Sequence, residues 1–90
     1  MGVVYSKNAE LMGVANRVIK AIDELTAKGI SIINIEFTKL QPVISVAHCA
    51  GTRRLISVIY ERAQDNDEVK FVRKISHIHN CAVIWEEVES

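Results

Sequence analysis

Between Asn8 and Lys28, apolar residues recur every three or four positions, as Leu11, Val14, Ala15, Val18, Ile22 and Leu25. That spacing matches the 3.6-residue repeat of a helix with one buried stripe. Asn16, Arg17, Lys20, Asp23 and Glu24 occupy the opposite, solvated side. Ser6 or Asn8 can cap the first turn, and Gly29 is a suitable stop after Lys28. Beyond Gly29 the period shortens towards two. Ile33, Ile35 and Phe37 alternate with Asn34, Glu36 and Thr38, which predicts a strand over 30–38. A second strand is predicted over 42–48, with Pro42 at its first residue, where a missing N–H is tolerated. Lys39-Leu40-Gln41 between them is short enough for a hairpin.

The stretch 55–62 supports two readings. Ile56, Val58, Ile59 and Tyr60 favour a strand, whereas Arg53 to Ala63 would also make a short helix. Ala63 to Glu68 reads as a turn, 69–78 as a strand, Asn80 as a turn or bulge, and 81–88 as a last strand. The expected architecture is therefore α+β, a single domain over 1–90. One N-terminal amphipathic helix packs on a four- to five-stranded antiparallel sheet. Two strands carry apolar residues on both faces. Ile56 and Val58 oppose Leu55 and Ile59, and Val83 and Trp85 oppose Ala82 and Ile84. A solvated sheet face should alternate more cleanly than this. A second apolar surface is thus expected to meet a protein partner or a second copy in a homodimer, with Ile56, Val58, Ile84 and Trp85 as candidate interface residues.

Composition narrows the function classes. Eleven basic and eleven acidic side chains give a net charge of zero, which handicaps a general nucleic-acid binder. The basic residues do cluster locally. Arg53, Arg54, Lys70, Arg73 and Lys74 form a candidate nucleic-acid surface, with Arg62 alongside and Tyr60 and Phe71 available for base stacking. Glu61, Asp65, Asp67 and Glu68 dilute that cluster, and cross-strand pairing or edge protection would use the same lysines and arginines. No apolar run approaches 18 residues, so no membrane span is expected. The first residues lack a secretory-signal layout. Met1-Gly2-Val3-Val4-Tyr5-Ser6 fits the loose N-myristoylation pattern, for which a chance match is the simpler account. Two cysteines make no disulfide framework, which favours reduced thiols and a cytoplasmic setting.

Four groupings invite a chemical reading. His48-Cys49-Ala50-Gly51-Thr52-Arg53-Arg54 is comparable to the phosphate loop of cysteine phosphatases, but that loop places five residues between Cys and Arg. Arg54 falls one residue short, and the backbone N–H cradle depends on that length. His77, His79 and Cys81 share a face if their strand runs on unbroken, and His48 or Cys49 from a neighbouring strand could complete a zinc set. The paired spacings of strong zinc motifs are missing, so these are weak metal candidates. Glu86 and Glu87 are adjacent in a strand and point apart, which suits a solvated acidic end rather than acid–base catalysis. Trp85 between them suits a core or an interface. No glycine-rich phosphate cradle and no spaced Ser/His/Asp set is present. Neither an enzyme, a cofactor nor a small-molecule substrate is expected.

The layout from about residue 10 to 87 resembles small, mostly uncharacterised accessory proteins of bacteriophages and prophages. The residues that carry the resemblance are the helix ending in Gly29, the run Gln41-Pro42-Val43-Ile44-Ser45-Val46, and the close Asn80-Cys81-Ala82-Val83-Ile84-Trp85-Glu86, with Asn80 where that pattern has Gly. The resemblance implies a bacterial intracellular setting and brings no active-site residues. The expected function is a non-enzymatic interaction protein presenting a sheet face or edge to a host or phage macromolecule. Nucleic-acid binding through the 53–74 basic cluster is the alternative.

Overall fold

The computed structural model describes residues 2–64 and 69–88, with side chains described from Asn8 onward. Residues 65–68 of the expected turn lie outside the described residues. In chain order the elements are α1 (Gly2–Ala27), β1 (Ile32–Phe37), β2 (Pro42–Val46), α2 (Ala50–Arg53), β3 (Val58–Gln64), β4 (Lys70–Ile78) and β5 (Cys81–Val88). The five strands form one sheet in the order β1-β2-β5-β4-β3. Three pairings are antiparallel, while β2 and β5 run parallel, with Val43 beside Ala82 and Ser45 beside Ile84. The fold is α+β as expected, but the sheet is mixed rather than purely antiparallel. The parallel pair arises where the β3–β4–β5 meander slots its last strand against the β1–β2 hairpin, a non-local pairing that alternation within either strand does not encode.

Helix α1 begins at Gly2, so Ser6 and Asn8 lie inside it instead of capping it. Its end is a Schellman motif. Ile30 N–H donates to Leu25 C=O at 3.0 Å and Gly29 N–H to Thr26 C=O at 3.0 Å, with Gly29 at φ 73°. Leu25 and Ile30 are both buried, which adds the apolar contact of that motif. The stripe Val18, Ala21 and Leu25 packs on Ile44, Val46, Ile78, Cys81, Val83 and Trp85 from the sheet's inner face, with Val14 and Ile22 half-buried at its margin. Arg17, expected in solvent, is half-buried with an enclosed Nε that has no hydrogen-bond partner among the described residues.

The ambiguous 53–62 stretch resolves into one helical turn, an irregular connector and a strand. Gly51 in that turn has no room for a side chain. A Cβ there would stand 2.5 Å from the Lys28 carbonyl oxygen and 2.7 Å from Ile30 Cγ1, so the absent side chain lets α2 lie against the end of α1. Between β4 and β5, His79 and Asn80 both have positive φ, 48° and 61°, forming a two-residue hairpin turn that pairs Ile78 with Cys81. Among the described residues, no helix is long and apolar enough to cross a membrane.

Candidate interaction surface

Alternation assigns each strand residue to the inner face under α1 or to the outer face. The outer face has no covering layer among the described elements. Val43 and Ser45 of β2, Ala82, Ile84 and Glu86 of β5, and Arg73, Ile75 and His77 of β4 share it by register. Both edge strands depart from strict alternation. In β1 the register slips between Ile32 and Asn34, so Ile33 and Asn34 stand together opposite Ser45. In β3 it slips between Ile59 and Glu61, so Tyr60 and Glu61 stand opposite Arg73. A bulge of this kind adds a residue and sharpens the local bend.

By register the two bulges lie two residues apart along β5, at the levels of Ile84 and Glu86. They turn Ile33 from one edge and Tyr60 from the other over a trough of about 280 Å³, together with Ser45, Arg73, Ile84 and Glu86. Ile33 is 69 % exposed and Tyr60 47 %. Arg73 sits across the floor with Glu61 on one side and Glu86 on the other, its Nε 3.3 Å from Glu86 Oε2, and lies 5.3 Å from the Phe71 ring centre. These ions are substantially exposed and contribute little stability. With one cation between two carboxylates, they leave the trough with one net negative charge.

On the inner face, Glu87 is not a solvated terminal carboxylate. Its Oε1 accepts from Trp85 Nε1 at 3.0 Å, its Oε2 lies 3.0 Å from Lys74 Nζ, and His48 Nδ1 is 3.4 Å away. The Trp85 hydrogen bond, with the Lys74 bond and charge behind it, holds the Glu87 carboxyl below the usual carboxylate range against an opposing effect of burial. His48 Nδ1 is also 2.8 Å from Thr52 Oγ1. This is the nearest approach to a hydroxyl–imidazole–carboxylate set among the described residues. It does not form a catalytic relay, because both contacts use the same ring nitrogen. Thr52 Oγ1 is buried, donates to Cys49 C=O at 2.8 Å and accepts from Cys49 N–H at 2.9 Å, which closes the α2 turn.

The structure distributes the other sequence candidates. Lys70 and Lys74 share the inner side of β4, Arg73 points outward, and Arg53 and Arg54 are exposed on α2, so the five cations do not form one surface. Lys74 pairs with Glu87, and Arg73 with Glu61 and Glu86. His77, His79 and Cys81 do not share a face. The hairpin turn takes His79 out of the strand, Cys81 enters the core and His77 faces outward. No group of three His, Cys, Asp or Glu residues arranged to hold a metal is present among the described residues. Burial pushes the Cys81 thiol up, with the nearby Arg17 charge opposing, so Cys81 behaves as a small apolar core residue. Of the candidate interface residues, Ile84 lines the trough and Trp85 is buried beneath α1. Ile56 and Val58 border a second, open groove of about 550 Å³ beside the 54–57 connector.

Ile33, Tyr60 and Glu87 are the site residues that alternation alone does not single out. The apolar doublet Ile32-Ile33 and the run Val58-Ile59-Tyr60 are the available signal, since each breaks strict alternation where a bulge occurs. Comparisons with family models, curated proteins and solved structures returned no match.

Proposed function

We propose that this chain is a non-enzymatic interaction protein that binds a macromolecule through the outer trough of its sheet. One observation supports the reading above the rest. Two bulges on opposite edges hold Ile33 and Tyr60 exposed over a floor that includes Ile84 and Ser45, on which Arg73 is already occupied by Glu61 and Glu86. An exposed apolar surface of this kind marks a contact site more often than a free surface. Its net negative charge favours a protein partner, because phosphate backbones are held by unpaired Lys and Arg. The resemblance to phage and prophage accessory proteins supports a bacterial or phage-infected cytoplasm as the setting.

The test uses Ile33→Glu and Tyr60→Glu, each exposed and tolerable to the folded protomer. Light scattering and partner binding are measured across protein concentration and salt. Loss of association in both variants, with unchanged circular dichroism, is the expected result. Association that persists in both variants would reject the trough. Binding to DNA or RNA that weakens steeply with salt and depends on Arg53, Arg54 and Lys70 would favour the nucleic-acid alternative.

A further inference from the structure

We infer that the occupant of the trough is the N-terminal half of α1 from a second copy of this chain, seated reciprocally in a two-fold dimer. The inference rests on the trough being the docking surface. Shape selects the kind of occupant. The trough is concave, flanked by Ile33 and Tyr60, and two such faces pressed together would enclose a void rather than a close-packed core. A convex element is needed, and a helix about 10 Å across is the element that already covers the inner face.

The chain carries an unused length of that element. Helix α1 packs on the core from Val14 onward, and every residue from Asn8 to Gly13 is exposed. On the side of α1 turned away from the sheet, along this projecting stretch and just beyond it, Leu11, Met12 and Ile19 are 57 %, 68 % and 56 % exposed. Met12, Ala15 and Ile19 follow a three–four spacing, so they form a second apolar line beside the sheet-facing stripe. The small Ala15 at its centre permits close approach to the floor at Ser45 and Ile84.

Whole-molecule dimensions agree. The protomer measures 55 × 28 × 19 Å with a radius of gyration of 15.5 Å. A compact chain of this length has a radius of gyration near 12 Å. Seating each projecting helix on its neighbour's sheet returns that length to a packed core. Two seats per dimer, each formed by a helical segment about 18 Å long, approach the roughly 1,200 Å² at the lower end of stable interfaces. Reciprocal exchange also closes the assembly, whereas one-way seating would propagate into a filament. The trough's net negative charge favours Lys20 and opposes Glu10 on the flank of the incoming helix.

The experiment combines mass with cross-linking. Light scattering on the full chain should give a concentration-dependent dimer at twice 10.1 kDa, and the double variant Met12→Glu/Ile19→Glu should fall to 10.1 kDa with unchanged circular dichroism. In a Cys49→Ser background, Ala15→Cys mixed with Ser45→Cys should form a disulfide-linked heterodimer much faster than either variant alone. A wild-type chain that stays monomeric at all concentrations overturns the inference and leaves the trough for another protein. A dimer that survives the helix variant but dissociates with Tyr60→Glu also overturns it, while retaining the trough as the docking surface. A dimer unaffected by either variant overturns both.

Discussion

Glu87 shows how one side chain can tie distant segments together. Trp85 reaches it from two residues earlier on β5, Lys74 from the neighbouring strand β4, and His48 from the segment before α2. Its folded-state pKa is depressed, so its contribution to stability is complete above the ordinary carboxylate value of 4.5 and is lost as pH falls through the lowered folded value. Glu87→Gln keeps the volume and an acceptor for Trp85 but removes the charge that Lys74 faces. At neutral pH the variant is expected to be less stable by about 1 kcal/mol, after allowance for solvent screening. Urea unfolding at a series of pH values checks this. The gap between wild type and variant should narrow as pH falls below the ordinary carboxylate value of 4.5, and a gap that does not narrow in acid would refute the role assigned to the charge.

At the scale of elements, two glycines set how α1 ends and what lies against it. Gly29 supplies the positive φ of the Schellman motif, and Gly29→Ala is expected to cost about 1 kcal/mol through backbone strain. Gly51→Ala should cost more, roughly 1–3 kcal/mol, because the new methyl meets the Lys28 carbonyl, a backbone atom that cannot swing aside. Urea midpoints with an unchanged m-value test the order. If Gly51→Ala proves the milder change, α2 does not pack as described. The stop at Gly29 was legible because a glycine after an apolar helical stripe is a local signal. The close approach at Gly51 was not, since it depends on a carbonyl 23 positions earlier in the chain. The bulges at Ile33 and Tyr60 fall between these cases. Each leaves an apolar doublet in the sequence, but which member turns to which face depends on the partner strand's register.

Across the whole molecule, stability should be graded from the central strands outward. Val83 and Ile44 are fully buried and adjacent in the parallel pair, whereas residues 8–13 of α1 touch no core. Native-state hydrogen exchange on the protein at low concentration should therefore find the slowest amides around Ile44 and Val83, and the fastest helical amides in the first half of α1. Uniform protection along α1 would contradict the grading.

The sequence by itself determined the amphipathic helix, its stop at Gly29 and the location of every strand but the third, whose stretch it left open between strand and helix and whose last residues, Ala63 and Gln64, it assigned to a turn. Each follows from periodicity and turn chemistry within a few neighbouring residues. Only the tertiary structure decided that β5 lies parallel to β2, that Trp85 belongs to the core, and that the basic cluster divides between faces. It alone also removed His79 from a common face with His77 and Cys81, and brought Ile33 and Tyr60 over one trough. These features depend on which strands become neighbours and in what register, and that is set by packing between segments far apart in the chain.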